Sequence, residues 1–392
     1  MTSIKTSHHP QLSDAVNRIE PSGIRRFFDL ASSMDNIISL GVGEPDYSTP
    51  WNVREASIHS LERGVTSYTA NAGLIELREA ISRYLQKRFQ VSYDPENEVV
   101  VTVGASEGID LALRAILNPG DEVLIAEPCF VSYAPLVSLV GGIPVPIPTS
   151  IETDFEVDAA EVEARITNNT KALMLSFPNN PTGAVMGMEG LKKIAEVVIK
   201  HNLIVLSDEI YAELSYDAEH VSVPVLDGMW ERTILISGFS KAFAMTGWRI
   251  GYVAAPEPYA KAMLKIHQYA MMCASTMAQY AALEAMTNGR DEMEEMVTNY
   301  RQRRNFFVKS LREIGLTCHT PGGAFYAFPS IKSTGLTSEE FAEKLLIDQR
   351  VAVVPGHVFG EGGEGHIRCS YAASMKQLEE AIERIDAFLK SL

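Results

Sequence analysis

The chain has 392 residues, 46% of them hydrophobic and 21% charged, which is enough for two domains with substantial cores. Its net charge of −16, from 34 basic and 50 acidic residues, is opposite to that of a typical nucleic-acid or anionic-membrane binder. No stretch reaches the ~20 apolar residues that cross a bilayer, and residues 1–11 (MTSIKTSHHPQ) lack the apolar region of a secretory signal.

Four cysteines are scattered along the chain without CxxC spacing: Cys129, Cys273, Cys318 and Cys369. In a chain of this length such a distribution predicts reduced thiols and neither a disulfide framework nor a zinc site. We therefore expect a cytosolic protein with no metal and with no nucleic-acid or membrane partner.

Seven short apolar runs that end in turn residues predict β-strands. They cover residues 99–103, 122–126, 143–148, 172–177, 203–207, 233–237 and 249–254. Most are continuously apolar, as in a sheet buried on both faces, and helical periodicity occurs between them at 107–117 and 188–201. This alternation predicts an α/β fold with a mainly parallel central sheet sandwiched by helices. Ligands of such sheets bind beyond the carboxyl ends of the strands.

From about residue 286 the pattern changes. It predicts a long charged helix over 293–316, a turn at 320–323, a strand at 324–329 and a helix at 338–349. Strand-like runs at 351–354 and 366–371 and a final helix follow. We interpret residues 45–286 as a large domain, and residues 1–44 with 287–392 as a smaller α+β domain.

The most specific motif is SGFSKAFAMTGWRIG, residues 237–251. Lys241 follows a predicted strand, and three apolar side chains flank it: Phe239, Phe243 and Met245. Loss of hydration there would lower the pKa of the amine, and a neutral amine can condense with an aldehyde. Arg249, at the start of the next predicted strand, is suited to bidentate binding of a dianionic phosphate. For this motif alone, a surface lysine with a structural arginine is the alternative.

A second motif is LIVLSDEIYAEL, residues 203–214, in which a strand leads to Asp208 and Tyr211 follows three residues later. A carboxylate beside a pyridine nitrogen keeps that nitrogen protonated, which makes the ring an electron sink. Tyr211 would then hydrogen-bond the phenolic oxygen of the ring. An aspartate that caps a helix is the alternative for this motif alone.

Two more turns follow predicted strands. In SFPNNPTGAV, residues 176–185, turn chemistry explains the prolines and the glycine better than the adjacent asparagines, and Asn180 offers both a donor and an acceptor. VVVTVGASEGIDLAL, residues 99–113, passes through Gly104 into a helix whose free N–H groups suit a phosphate. It contains neither a P-loop nor the dinucleotide pattern GxGxxG.

Together these motifs resemble the class I and II aminotransferases, which are fold-type I enzymes that use pyridoxal 5′-phosphate. The resemblance extends from SLGVGEPDYSTP (39–50) to HIRCSYAAS (366–374), and SKAFAMTGWRIG with the NNPTG turn is its most specific part. FVSYAPLVSLVGG and GHVFGEGGEG make the chain most similar to the prokaryotic aromatic and aspartate aminotransferases. The resemblance implies ping-pong transfer of an amino group between an amino acid and a 2-oxo acid. It also implies aromatic or broad specificity, with glutamate and 2-oxoglutarate as one substrate pair.

The resemblance assigns each matching residue a role at the cofactor. Lys241 would bind it as a Schiff base and act as the base for the α-carbon proton, and Asp208 would pair with the pyridine nitrogen. The remaining cofactor ligands would be Tyr211 and Asn180 at the ring oxygen, Phe130 stacked on the ring, and Ala105, Ser106, Ser240 and Arg249 around the phosphate.

The same resemblance places the substrate and a second subunit. Arg368 would bind the α-carboxylate of the substrate, with the backbone amide of Gly43 beside it, although a surface ion pair is the alternative for this arginine alone. Tyr68 would reach the phosphate site of a neighbouring subunit, which implies a homodimer with shared sites. Many relatives carry serine three residues before the lysine, where this chain has Gly238.

One alternative function stays open, a carbon–sulfur lyase on the same fold and cofactor. A cofactor-sensing regulator would need an N-terminal DNA-binding module, for which the roughly forty residues before GVGEPD leave no room. A nicotinamide dehydrogenase would need the missing glycine pattern.

Overall fold

The computed structural model of the protein describes residues 12–21, 23 and 34–392, so the predictions for residues 1–11, 22 and 24–33 lie outside the described residues. The α-helices in the described part are Asp14–Asn17, Trp51–Glu62, Ile75–Phe89, Gly104–Ile116, Tyr133–Leu139, Ala159–Glu163, Met188–Lys200, Glu257–Ala270, Thr276–Asn288, Arg290–Glu313, Ser338–Gln349 and Met375–Ser391. The strands are β1 (Ile38–Ser39), β2 (Val99–Thr102), β3 (Glu122–Glu127), β4 (Ile143–Pro148), β5 (Thr170–Ser176), β6 (Ile204–Asp208), β7 (Thr233–Gly238), β8 (Gly251–Ala254), β9 (Tyr326–Ala327), β10 (Val351–Ala352), β11 (Val354–Pro355) and β12 (Ile367–Ser370).

Seven strands form the central sheet in the order β2-β8-β7-β6-β5-β3-β4. The five strands β4, β3, β5, β6 and β7 are parallel to one another, whereas β8 is antiparallel to both of its neighbours, β2 and β7. The prediction of a mainly parallel sheet is therefore confirmed. Each of the seven strands predicted for this sheet coincides with an observed strand to within two residues at either end.

Helices cover both faces of this sheet because its strands are apolar on both sides. One face packs on helices Gly104–Ile116 and Glu257–Ala270, where Ile109 and Met263 are buried. On the other face, Ile81 of helix Ile75–Phe89 and Ile194 of helix Met188–Lys200 belong to two further buried clusters. Each fully buried aliphatic side chain of this kind contributes about 1.5–3 kcal/mol relative to an exposed one.

The C-terminal part contains a three-stranded antiparallel sheet, β11-β12-β9, and the parallel pair β1-β10. The strand predicted over 324–329 spans only Tyr326–Ala327, and the single run predicted over 351–354 is wrong. It forms two strands in different sheets, because β10 pairs with β1 while β11, one residue further on, pairs with β12. The continuous apolar run VAVVP gives no sign of this change of partner.

Both ends of the chain contribute to one buried cluster, in which Ile38 and Leu40 lie with Leu311, Ile385 and Phe388. Helix Asp14–Asn17 instead lies against helix Tyr133–Leu139, which follows β3. The division into residues 45–286 and the remainder stays a prediction. No helix in the described part of the chain is both long and apolar enough to cross a membrane.

Candidate active site

A cavity of about 700 Å³ lies at the carboxyl ends of the parallel strands. Strands β3 and β5 are neighbours there, but the chain leaves β3 towards β4 and leaves β5 towards β6, in opposite directions. Such a switch point leaves a crevice between the loops that follow the two strands. Eleven of the twelve predicted site residues line the cavity, and these are Gly43, Ala105, Ser106, Phe130, Asn180, Asp208, Tyr211, Ser240, Lys241, Arg249 and Arg368. Tyr68 does not line it and is 78% exposed.

Lys241 follows β7, and its amine donates to the backbone carbonyl of Gly43 at 2.6 Å. The flanking apolar side chains are buried, as expected for an interior lysine: Phe239, Phe243 and Met245. Burial lowers the pKa of the amine to about 8, although Glu44 acts in the opposite direction. A substantial neutral fraction therefore exists near neutral pH, which a surface lysine would not have.

Asp208 ends β6 with its side chain buried. Its Oδ2 accepts from the hydroxyl of Tyr133 at 2.7 Å, and its Oδ1 accepts from the backbone N–H of Ile210 at 3.1 Å. Burial raises the pKa of the carboxyl to about 6, and the two hydrogen bonds act against that rise. Residues 210–213 form turns, and no α-helix follows Asp208 directly, so Asp208 does not cap one. It is instead a buried anion at neutral pH, which favours a protonated nitrogen beside it.

The start of helix Gly104–Ile116 faces the cavity, and no side chain caps its first turn. Gly104 has φ +78°, and a Cβ there would lie 2.7 Å from Nη2 of Arg249, so the guanidinium lies directly against this glycine. Free N–H groups beside a cation form an anion site. The placement of Arg249 at the start of a strand is wrong. It precedes β8 by two residues, because its φ of +51° does not fit an extended strand.

The two adjacent asparagines have different surroundings. Oδ1 of Asn179 accepts from the N–H and the hydroxyl of Thr182, at 3.2 and 2.9 Å, so this residue stabilises the turn. Oδ1 of Asn180 accepts from Nη1 of Arg368 at 3.0 Å, and Asn180 lines the cavity. The turn therefore explains Asn179, whereas the side chain of Asn180 faces the cavity and is available to a ligand.

Arg368 lies on β12 and is 3% exposed, so the alternative of a surface ion pair is wrong. Its Nη2 donates to the carbonyl of Gly41 at 2.6 Å, and its Nε has no partner among the described residues. Burial lowers the pKa of the guanidinium, but an arginine stays charged at neutral pH. No carboxylate in the described part of the chain pairs with it. A buried cation with a free donor favours an anionic ligand.

Sequence reasoning missed two tyrosines in the cavity wall, Tyr133 and Tyr326. The hydroxyl of Tyr326 lies 2.9 Å from that of Tyr211, and its ring centre is 4.6 Å from the guanidinium carbon of Arg368. Tyr326 belongs to none of the motifs quoted from the sequence, and Tyr133 lies in FVSYAPLVSLVGG, which served only for the family resemblance. Tyr133 reaches Asp208 across β5, and Tyr326 arrives through the pairing of β9 with β12. Only the position of Tyr133, three residues after Phe130, was a usable signal.

Steric crowding explains why residue 238 is a glycine and not a serine. It pairs with Gly251 between β7 and β8, and a Cβ on it would lie 2.8 Å from the Cα of Gly251 and 3.2 Å from the carbonyl oxygen of Ile250. A serine there would force the strands apart. Ser240 provides a hydroxyl in the cavity wall two residues further on.

The residues of this cavity fit pyridoxal phosphate. The uncapped helix start with Arg249 suits a dianionic phosphate, the buried carboxylate of Asp208 suits a ring nitrogen, and the amine of Lys241 suits an aldehyde. Arg368, with its unpartnered Nε, suits the carboxylate of a second small molecule.

Known proteins resemble the chain over nearly its whole length. The profile of the family "aminotransferase class I and II" matches residues 35–385. The protein YugH of Bacillus subtilis (strain 168) is 64% identical over 96% of this chain and 98% of its own length. The aspartate aminotransferase of Pyrococcus abyssi is 47% identical over 97% of this chain and 98% of its own. The crystal structure of the aromatic aminotransferase from Pyrococcus horikoshii OT3 has a TM-score of 0.89 at 47% identity, covering 94% of this chain and 99% of that one.

Proposed function

The chain belongs to the class I and II aminotransferases, and from that premise we propose the role of each residue in its cavity. The protein is an aminotransferase that uses pyridoxal phosphate and acts on amino acids and 2-oxo acids. When bound, the cofactor supplies an aldehyde that condenses with amines and a protonated ring that accepts the electron pair of the α-carbon. The observation that carries the assignment is the partly buried amine of Lys241, with its lowered pKa, in one cavity with Asp208, Arg249 and Arg368.

Lys241 would hold the cofactor covalently, and its free amine would carry the proton of the α-carbon. Both roles need a neutral amine, and the lowered pKa of about 8 supports them. The carbonyl of Gly43 accepts a proton of this amine at 2.6 Å and so orients its Nζ within the cavity.

Asp208 keeps the pyridine nitrogen protonated, and Tyr133 stabilises the carboxylate in its ionised form. Tyr211 and Asn180 bind the ring oxygen, and the aromatic side chain of Phe130 stacks on the ring. These roles are supported by the position of all five side chains in the wall of one cavity.

Anionic groups bind at two separate cations in the cavity. Arg249 and Ser240, with the amides of Ala105 and Ser106, bind the phosphate, because these groups surround an uncapped helix start. Arg368 binds the substrate α-carboxylate together with the backbone amide of Gly43, since its buried guanidinium keeps one donor free among the described residues.

For the amino donor we propose aromatic or broad specificity, with glutamate and 2-oxoglutarate as one substrate pair. Among the residues that the structure describes, the basic side chains in the cavity wall are Lys241, Arg249 and Arg368, and each already has a role. The side-chain end of a substrate would therefore meet apolar and aromatic groups such as Ile109 and Tyr326. A panel of donors with 2-oxoglutarate tests this, and a kcat/KM for aspartate far above that for phenylalanine and tyrosine would reject it.

We propose a homodimer in which Tyr68 binds the phosphate in the neighbouring subunit. Tyr68 is 78% exposed, and three large apolar side chains of a second segment are also exposed: Tyr269, Met271 and Met272. Asn71, three residues after Tyr68, donates to the carbonyl of Met272 at 2.8 Å, which brings the two segments together. Such a patch of exposed apolar groups is typical of an interface.

Subunit mixing tests the shared site. A Tyr68→Ala chain and a Lys241→Ala chain, refolded together, should form heterodimers with one complete site, giving about a quarter of the wild-type activity in a random mixture. A mixture no more active than the average of the two separate variants would contradict a site shared between subunits.

We also propose that residues 45–286 form the large domain and that the remaining chain forms the small one, supported by the pairing of β1 with β10. The cytosol is the proposed compartment, supported by cysteines that are all unpaired.

The test of the reaction itself uses an amino donor without an acceptor. The holoenzyme should then release one 2-oxo acid per bound cofactor and stop, and it should show ping-pong kinetics when both substrates are present. Continuous release of ammonia and pyruvate from cysteine-type substrates would favour the lyase instead.

A further inference from the structure

A buried hydrogen-bonded pair that the proposed function does not use, Glu107 and His267, lies next to the phosphate side of the cavity. Glu107 is in the first turn of helix Gly104–Ile116, one residue after Ser106, and its Oε1 is 2.7 Å from Nδ1 of His267. The side chain of His267 is fully buried, and that of Glu107 is 8% exposed. A carboxylate so close to a site for a dianion would repel it, so the direction in which Glu107 points matters for binding.

At the start of this helix, a side chain accepts the N–H of the N-cap residue, but no N-cap side chain accepts the N–H groups of the first turn. Val103 is the N-cap residue and has no side-chain oxygen, so no side chain accepts the first N–H groups of the helix. Glu107, four residues after the N-cap residue, reaches back to it, and its Oε2 accepts the N–H of Val103 at 2.5 Å. The carboxylate thereby binds an N–H that precedes the helix, and the amides of Ala105 and Ser106 stay available to the cavity.

His267 holds Glu107 in this orientation through its other carboxylate oxygen. Helix Glu257–Ala270, which carries His267, packs on helix Gly104–Ile116 in the cluster that contains Ile109 and Met263. The imidazole is therefore fixed by the core. Its Nε2 has no partner among the described residues, so the contact with Glu107 is its hydrogen bond in this part of the chain.

We propose that His267 and Glu107 are positioning residues that keep the start of helix Gly104–Ile116 open for the cofactor phosphate. The inference rests on the proposed function, which places the phosphate at that helix start. Without the imidazole, Glu107 becomes a buried carboxylate that has lost one of its two partners. It then gains by turning to the N–H groups of its own first turn, where it competes with the phosphate and repels it.

Four variants separate this role from simple packing. His267→Leu removes the polar contact and fills the space, whereas His267→Asn keeps an amide nitrogen near the position of Nδ1. Glu107→Gln removes the charge, and the double variant His267→Leu/Glu107→Gln removes both the charge and its partner. For each full-length variant, freed of cofactor, equilibrium dialysis gives the dissociation constants of pyridoxal phosphate and of pyridoxal, which lacks the phosphate.

The proposal predicts that His267→Leu raises the dissociation constant of pyridoxal phosphate about tenfold or more and leaves that of pyridoxal within about twofold. His267→Asn and Glu107→Gln should stay within about threefold of the unsubstituted protein. The double variant should recover to a similar level, since no carboxylate is left to compete.

Two results would overturn the proposal. One is a double variant that binds pyridoxal phosphate as weakly as His267→Leu does, because that would show lost packing. The other is a His267→Leu variant that binds both compounds normally or loses both equally. Failure of the proposed function looks different, since the unsubstituted protein would then attach neither compound at Lys241.

Discussion

The two sides of the active-site cavity are assembled in different ways. On the cofactor side, Asp208 ends one strand of the central sheet, and Lys241 and the start of helix Gly104–Ile116 each follow another strand of it. Short segments of chain therefore bring all three to one edge of the sheet. The other side, which binds the substrate α-carboxylate, is called the carboxylate side. Its residues Gly43, Tyr326 and Arg368 come from segments far apart in the chain, which meet through β9, β12 and the loop after β1. The cofactor side is thus set by strand ends and the carboxylate side by tertiary pairing.

This difference predicts that changes on the cofactor side abolish chemistry, whereas changes on the carboxylate side mainly weaken substrate binding. The largest effect belongs to Lys241→Ala, which removes the group that attaches the cofactor and moves the α-proton. Turnover should fall by about 10⁴-fold or more, while dialysed protein still binds cofactor through the phosphate site. Lys193→Ala, at an exposed lysine of helix Met188–Lys200, is the matched control and should keep full activity.

Asp208→Asn should come next, because it keeps the shape of the side chain and removes the charge that protonates the ring nitrogen. The expected loss in kcat is on the order of 10²–10³-fold. Tyr133→Phe keeps the carboxylate and removes one hydrogen bond, so it should cost much less. If Tyr133→Phe lowered kcat as far as Asp208→Asn, the charge would not be the decisive property.

Arg368→Ala tests the carboxylate side. The KM for the amino donor should rise about 10²-fold, with a smaller change in kcat, because a charge-assisted pair to the substrate is lost. Arg165→Ala, which removes contacts with the carboxylate and the backbone carbonyl of Glu161 within the same short helical segment, serves as the control. A fall in kcat at an unchanged KM would contradict the assignment of Arg368 to ground-state binding.

Tyr326→Phe should give the smallest change, about two- to tenfold in kcat/KM, because it removes one buried hydrogen bond to Tyr211. The test is a comparison with Tyr211→Phe. Tyr211 touches the cofactor in the proposed arrangement and Tyr326 acts through it, so the Tyr211 variant should lose more. The reverse order would place Tyr326 in direct contact with the reacting groups.

The same contrast explains how far the sequence was informative. The strands of the central sheet could be predicted because they are buried on both faces and read as continuous apolar runs. Lys241, Asp208 and Asn180 could be predicted because each lies in a motif that follows such a run. For Arg368, only the family resemblance indicated a role, since its partners Gly41 and Asn180 lie 327 and 188 residues away in sequence.

The contacts of Tyr133 and Tyr326 could not be predicted from local sequence patterns. Tyr133 follows β3, but its hydroxyl reaches Asp208 on β6, and β5 lies between these two strands. The position of Tyr326 depends on the pairing of the short strands β9 and β12. Short strands carry almost no periodicity, so neither their bounds nor their partners follow from the sequence. The splitting of 351–354 into β10 and β11 has the same cause.

The most direct test of the central claim is reduction of the holoenzyme with borohydride, followed by peptide mapping. The partly buried amine with a pKa lowered to about 8 should carry the cofactor, so the label should be found on Lys241 and on no other lysine. Label at a different residue, or none at all, would contradict the account.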